Sequence, residues 1–187
     1  MWYEVESKIK INDYRKVREV VRKIASFKSK ETKKDEYFAL HDEGYPRKSF
    51  RIRDNGQNYV VNFKKKMDNL SDKEIVVKEE YEFAIKSRDE VSNFLSLCKD
   101  LGFKEWVGKN KKSESYSYKK NRKVTIELND VAKLGRWMEI EYLCPKNEIK
   151  KAKKIINDVL SIIYESGGLG QIDNTGYTKM LFNLRNK

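Results

Sequence analysis

The run Glu4-Val5-Glu6-Ser7-Lys8 lies in a longer stretch, residues 2–11, in which charged and apolar side chains alternate. Alternation with a period of two is typical of a β-strand, because successive side chains point to opposite faces of the sheet. One face of this strand would carry the charges and the other the apolar residues. The stretch therefore predicts a sheet with one charged and one apolar face.

The same division continues along the chain and predicts the fold class. Strands are expected at residues 34–41, 48–54, 58–66, 74–83, 103–118, 122–131 and 136–143, several of them with alternating side chains, and Asp54-Asn55-Gly56 predicts a hairpin turn. Helical spacing of apolar residues predicts helices over 13–25, 87–101 and 147–165, with a short one near 177–184. We expect an α+β fold, a mostly antiparallel sheet with helices packed on one side, in one domain spanning residues 1–187.

Composition restricts the class of partner. The chain has 187 residues and a net charge of +12, which favours polyanionic partners such as phosphorylated molecules, nucleic acid or an anionic membrane. A Lys-rich chain with solvated surface charges would show the same excess.

Several common sites are excluded by residue usage. The only histidine, His41, and the two isolated cysteines, Cys98 and Cys144, provide no nucleophile set, and no P-loop or dinucleotide-binding glycine motif occurs. No stretch approaches the roughly 20 apolar residues of a membrane span, so neither a membrane partner nor a membrane location is expected. Unpaired cysteines favour a reducing compartment, and we expect a cytoplasmic protein.

The charged face collects carboxylates in pairs. Glu4 and Glu6, like Glu139 and Glu141, are two residues apart on a strand and so roughly 7 Å apart on one face. For any single strand, charges that face water are the commoner explanation. Carboxylates clustered on several strands repel one another, however, and a divalent cation would relieve that repulsion. Oxygen ligands favour Mg²⁺ or Mn²⁺ over Zn²⁺, and Arg and Lys on neighbouring strands would suit phosphate oxygens.

The order of these charged segments resembles the CYTH superfamily, the triphosphate tunnel metalloenzymes. The first segment has the family's ExExK pattern, and the similarity runs nearly from end to end. The matching segments are Glu4-Val5-Glu6-Ser7-Lys8, Phe50-Arg51-Ile52-Arg53, Val61-Asn62-Phe63-Lys64, Glu80-Tyr81-Glu82, Lys109-Asn110-Lys111-Lys112, Leu134-Gly135-Arg136-Trp137-Met138-Glu139-Ile140-Glu141 and Tyr177-Thr178-Lys179-Met180-Leu181.

The resemblance implies an eight-stranded antiparallel β-barrel, the triphosphate tunnel, with helices on the outside. It implies a metal, Mg²⁺ or Mn²⁺, held by Glu4, Glu6, Glu127, Glu139 and Glu141. It implies phosphate binding by Lys8, Arg51, Arg53, Lys64, Lys111 and Lys112. Among these residues, Glu4, Glu6, Lys8 and Glu139 are expected to act in catalysis. Two positions depart from the family pattern, since Asn129 replaces a common Asp and Gly176 replaces the usual Ser, and no role is assigned to Lys179.

Three functions are compatible with these residues and with the resemblance. The family includes class IV adenylate cyclases, thiamine triphosphatases, inorganic triphosphatases and fungal-type RNA triphosphatases. We favour a hydrolase of inorganic triphosphate or a related small triphosphate, such as thiamine triphosphate or a nucleoside triphosphate, acting as a monomer or homodimer. An adenylate cyclase that makes cyclic AMP and pyrophosphate from ATP is the alternative. A polyphosphate- or RNA-binding module without chemistry is less expected, because a polyanion binder has no use for clustered carboxylates.

Overall fold

The secondary structure follows the predicted order of strands and helices. A computed structural model describes residues 2–40, 44–46, 48–54 and 58–185. The strands are β1 Trp2–Ile11, β2 Ala25–Leu40, β3 Ser49–Asp54, β4 Tyr59–Lys66, β5 Val76–Ile85, β6 Phe103–Tyr118, β7 Val124–Val131, β8 Gly135–Cys144 and β9 Leu169–Ile172. The helices are α1 Tyr14–Ile24, α2 Arg88–Asp100, α3 Ile149–Tyr164 and α4 Tyr177–Arg185.

Strand pairing closes the sheet. The order is β5-β4-β3-β2-β6-β7-β8-β1-β9, and β5 pairs with β1 as well. Strand β1 therefore has three partners: β8 along most of its length, β5 beside its first half and β9 beside its end. The predicted fold class, an eight-stranded antiparallel β-barrel with helices packed outside, is confirmed.

The chain divides into two compact units, each built from three separate stretches. The first unit comprises Met1–Thr32, Lys65–Glu80 and Lys112–Asn174, and the second comprises Lys33–Lys64, Tyr81–Lys111 and Thr175–Lys187. The prediction of one domain over residues 1–187 stays a prediction.

In the first unit, helices α1 and α3 cover the apolar face of β1, β7 and β8. Asp13 caps α1 by accepting hydrogen bonds from the Arg15 and Lys16 amides. The apolar spacing of α3 places Ile156 and Ile163 against the strands, and both are fully buried. The opposite, charged face is buried as well: Glu4, Glu6 and Lys8 are only 3%, 6% and 2% exposed. These three charges of β1 are therefore shielded from bulk water.

In the second unit, α2 packs its Val91 and Cys98 on an apolar cluster that includes Phe38 and Phe50. The helix begins with a capping box, since the Ser87 hydroxyl accepts from the Glu90 amide and the Glu90 carboxylate accepts from the Ser87 amide. This cap matches the predicted helix start.

The structure differs from the sequence prediction at three strands. Strand β2 begins at Ala25, nine residues before the predicted start at residue 34, and β9 was not predicted. On β5, Tyr81 and Phe83 were expected on a packed face but are 45% and 52% exposed. The predicted hairpin joins β3 and β4, which do pair antiparallel, but its turn residues Asn55 and Gly56 lie outside the described residues, as does His41.

In the described parts of the chain, no helix has both the length and the hydropathy that a membrane span needs.

Candidate active site

The first unit brings the predicted metal-binding carboxylates together through strand register. On the β1–β8 pair, Glu6 lies opposite Glu141 and Lys8 lies opposite Glu139. On the β7–β8 pair, Glu127 also lies opposite Glu139. Residues directly opposite each other in an antiparallel pair point to the same face, so three strands contribute to one charged surface.

The carboxylates form two groups that share one residue. One group consists of Glu4, Glu6 and Glu141, and the other of Glu127, Glu139 and Glu141. Within each group, one carboxylate oxygen of every residue lies within 4.8 Å of the others. The four residues other than Glu141 are buried, and Glu141 is half-buried.

This donor set fits a hard divalent cation. All donors are carboxylate oxygens, which suit Mg²⁺ and Mn²⁺ better than softer metals. Burying several like charges without compensation is costly, whereas a bound cation offsets their repulsion. The residues that the sequence assigns to the metal are therefore suitably placed to hold one, and their role remains a proposal.

Burial and mutual repulsion shift the titration of this surface. Burial raises the pKa of Glu6 to about 7, the charge of Lys78 opposes the rise, and Glu4 and Glu139 add to it. Burial lowers the pKa of Lys8 to about 8, although Glu139 and Glu6 hold it up. Lys78, from β5, forms an ion pair with Glu6 and was not predicted as a site residue.

The second unit contains a cationic centre built around one buried carboxylate. The Arg53 guanidinium donates from Nε to Asp35 Oδ1 at 2.6 Å and from Nη2 to Oδ2 at 3.0 Å. Lys109 Nζ lies 2.9 Å from Asp35 Oδ2, and Arg51 Nη1 lies 3.9 Å from it. One carboxylate thus faces three cations, and the centre keeps a net positive charge.

Strand register places these groups on one face. Asp35 lies opposite Arg53, and Tyr37 lies opposite Arg51. Arg51 in turn lies opposite Asn62, and Lys64 follows Asn62 by two residues on β4. Lys64 is half-buried, and its role in phosphate binding stays a prediction.

This centre combines an ionised carboxylate with a buried donor that could bind an anionic ligand. Burial would raise the pKa of Asp35, but Lys109, the hydrogen bonds from Arg53 and the charge of Arg51 hold it well below its usual range, so Asp35 stays ionised. The Nε of Arg51 is buried and has no hydrogen-bond partner among the described residues. A buried donor without a partner is costly, and a phosphate oxygen could satisfy it.

Strand alternation separates the lysines of the basic segment of β6 onto two faces of the strand. Lys109 and Lys111 are two residues apart, and both are buried at 6% exposure. Lys112 is exposed and, in the first unit, lines a cavity of about 310 Å³ with Tyr14, Arg18 and Glu114. The structure therefore does not bring Lys112 together with Lys109 and Lys111, because neighbouring residues of a strand point to opposite faces.

The last helix also contributes to the second unit. Lys109 Nζ lies 5.4 Å from the centre of the Tyr177 ring at the start of α4. Lys179 lies over the ring of Tyr45, at 5.8 Å from its centre. Lys179 thus packs on an aromatic side chain, which is a structural role for the closing helix.

Sequence reasoning missed Asp35, Lys78 and Lys109 as site residues. Asp35 is followed directly by Glu36 on β2, so nothing in the local sequence distinguishes it, and its three cationic neighbours come from other strands. Lys78 shares the strand parity of Glu80 and Glu82 on β5, but the sequence does not show that it pairs with Glu6 on β1. The strand parity shared by Lys109 and Lys111 was the one signal that could have identified Lys109.

Known proteins resemble this chain over most of its length. The model of the CYTH domain matches residues 3–170. The protein MJ0240 of Methanocaldococcus jannaschii, named as a candidate adenylate cyclase, is 30% identical over 164 residues, which are 86% of this chain and 87% of that protein.

Solved structures from Pyrococcus horikoshii share the fold. Protein PH1819 is 30% identical, with a TM-score of 0.74 over 98% of this chain and 99% of that one. Protein PH1012 is 26% identical, with a TM-score of 0.72 over 94% of this chain and 98% of that one. With its charged strands in the expected order and the family model matched over nearly its whole length, the chain belongs to the CYTH domain family.

Proposed function

We propose that this protein is a Mg²⁺- or Mn²⁺-dependent hydrolase of inorganic triphosphate or a related small triphosphate. The observation that carries the proposal is the pair of buried carboxylate groups that share Glu141. Such a concentration of negative charge would weaken the affinity of a protein that only binds polyanions. A metal-dependent phosphoryl-transfer enzyme needs clustered carboxylates to hold its metal.

The acidic residues would bind the metal and the basic residues would bind the phosphates. Glu4, Glu6, Glu127, Glu139 and Glu141 would hold the metal. The bound metal would neutralise charge on phosphate oxygens. Arg51 and Arg53 would bind other phosphate oxygens, with Lys64 and Lys111 adding positive charge. Lys112 was expected to share this role, and its exposed position favours its buried neighbour instead.

Hydrolysis would consist of attack by a water molecule on the γ-phosphorus, in line with the bond that breaks. A carboxylate of the cluster, Glu4, Glu6 or Glu139, would accept the proton of that water. Lys8 would remain largely cationic near pH 7 and stabilise charge that develops on the phosphate oxygens. Orthophosphate and the shortened chain would leave.

An adenylate cyclase is the second candidate, and the name of the M. jannaschii relative favours it. The same cations and carboxylates would hold ATP. The 3′-hydroxyl would attack the α-phosphorus, its proton would pass to a carboxylate, and pyrophosphate would leave. The two candidates thus differ in the attacking group and in the phosphorus attacked.

A product assay separates the candidates. The protein is incubated with tripolyphosphate, thiamine triphosphate or ATP, each with Mg²⁺, Mn²⁺ or EDTA. We expect orthophosphate from tripolyphosphate that requires metal and is lost in Glu6→Ala, with Glu165→Ala, an exposed residue after α3, as the matched control. Cyclic AMP from ATP would overturn the hydrolase proposal in favour of the cyclase. Phosphate-chain binding that persists in EDTA without any product would support the binding module.

A further inference from the structure

A chain of two hydrogen bonds lies behind the carboxylate cluster of the first unit. Ser113 Oγ donates to Asn129 Oδ1 at 2.6 Å, and Asn129 Nδ2 donates to Glu139 Oε2 at 2.7 Å. The three residues are almost completely buried, at 2%, 0% and 7% exposure. Such a chain has a fixed direction, because an ionised carboxylate can only accept.

The direction determines how Asn129 is oriented. Its amide nitrogen must face Glu139, so its oxygen faces away, where the Ser113 hydroxyl donates to it. Without that hydroxyl the amide would lose the partner that holds its oxygen in place. Strand register supports the contact, since Asn129 lies opposite Trp137, two residues before Glu139 on β8.

We propose that Asn129 is a positioning residue for the metal site, oriented by Ser113 and acting through Glu139. The inference rests on the proposed metal-binding role of the cluster. By donating to Oε2, Asn129 fixes the rotation of the Glu139 carboxylate and stabilises its ionised form. As a neutral amide it does this without adding a further negative charge beside Glu139.

The chemical difference between Asn and Asp at this position is therefore functional. An ionised Asp has nearly the same shape, but it cannot donate to Glu139 and would repel it. Asn129→Asp should consequently disturb Glu139 although it adds one more oxygen donor. A site in which residue 129 itself bound the metal would show the opposite result, with Asp improving affinity.

The test uses Mn²⁺ alone and measures its binding to the metal-free protein by electron paramagnetic resonance at pH 7.5. We expect Asn129→Ala to weaken Mn²⁺ binding about 10- to 100-fold, the usual effect of removing a group that orients a metal ligand. Ser113→Ala should weaken it less, and Asn129→Asp should also weaken it. Ser117→Ala, on the same strand β6, is the matched control and should leave the affinity unchanged.

A double-mutant cycle distinguishes positioning from general packing. If Ser113 acts only through Asn129, Ser113→Ala should have no further effect on Mn²⁺ affinity in the Asn129→Ala background. If Asn129 only supports the fold, Asn129→Ala would lower the melting temperature and leave the Mn²⁺ affinity unchanged, and this result would overturn the proposal. Tighter Mn²⁺ binding in Asn129→Asp would also overturn it. Failure of the wild-type protein to bind Mn²⁺ would instead refute the proposed metal site itself, and the inference with it.

Discussion

Replacing Asp35 by Asn tests whether its carboxylate compensates the three cations of the second unit. The substitution keeps the shape of the side chain and removes its charge, which leaves Arg51, Arg53 and Lys109 to repel one another. The Asp35 side chain is completely buried and takes two hydrogen bonds from Arg53, at 2.6 and 3.0 Å.

The expected cost follows from this burial. Removing one partner of a buried ion pair typically costs about 3–5 kcal/mol, because the remaining charge is left without compensation. For a chain of this size, each kcal/mol corresponds to roughly 2–4 °C in melting temperature. We therefore expect Asp35→Asn to lower the melting temperature by about 6–20 °C.

The dependence on pH gives the sign of the effect. The folded-state pKa of Asp35 is held below its ordinary value of 3.8, so its stabilising contribution is present above that value and is lost as the pH falls through the folded-state pKa. The difference in unfolding free energy between wild type and Asp35→Asn should be constant from pH 5 to 8 and should shrink in stronger acid.

The assay is urea unfolding with and without tripolyphosphate. A phosphate chain bound among the three cations would replace the missing charge, so it should stabilise Asp35→Asn more than wild type. Asp100→Asn, exposed at the end of α2, is the matched control and should change stability by less than about 0.5 kcal/mol. Wild-type stability in Asp35→Asn, or a difference that persists unchanged to pH 2, would show that the Asp35 carboxylate does not compensate the three cations.

Three further predictions concern other parts of the molecule. Because the pKa of Glu6 is about 7, the affinity for Mn²⁺, measured by titration, should fall about tenfold per pH unit below 7, and a flat affinity profile would contradict this. For the same reason the free energy of unfolding of the metal-free protein should decrease as the pH rises from 4.5 through 7. Arg51→Ala should raise the KM for tripolyphosphate about 10- to 100-fold in steady-state kinetics through loss of a charge-assisted hydrogen bond, whereas Arg88→Ala, exposed on α2, should not. Ser87→Ala should cost about 1 kcal/mol in urea unfolding through loss of the α2 cap, and an unchanged midpoint would show that the cap contributes little.

Local patterns were sufficient to predict most strands and helices. Alternation in β1 and β8 assigned the charged residues to one face, and burial of Glu6 and Glu139 is consistent with that assignment. Strand β9 was not predicted, because four residues are too few to show an alternating pattern and one of them is Gly170. The first half of β2 escaped because its residues, mostly polar and exposed, show no alternation.

The partners within the candidate site could not be predicted, because they depend on which strands pair and in what register. The sequence places Lys111 and Lys112 side by side, and only the direction of their side chains separates them. Asp35 can be recognised as a site residue only from its contacts with Arg53, which lies opposite it on β3, and with Lys109 on β6. Hydrogen-bond chains such as the one from Ser113 to Glu139 have no signature in the sequence at all.

The most direct measurement is anomalous X-ray diffraction at the manganese edge from crystals grown with Mn²⁺. We expect an anomalous peak within about 2.5 Å of carboxylate oxygens from at least one of the two groups that share Glu141. Manganese bound only at other acidic residues, with Glu6 and Glu139 unliganded in the same crystal, would contradict it.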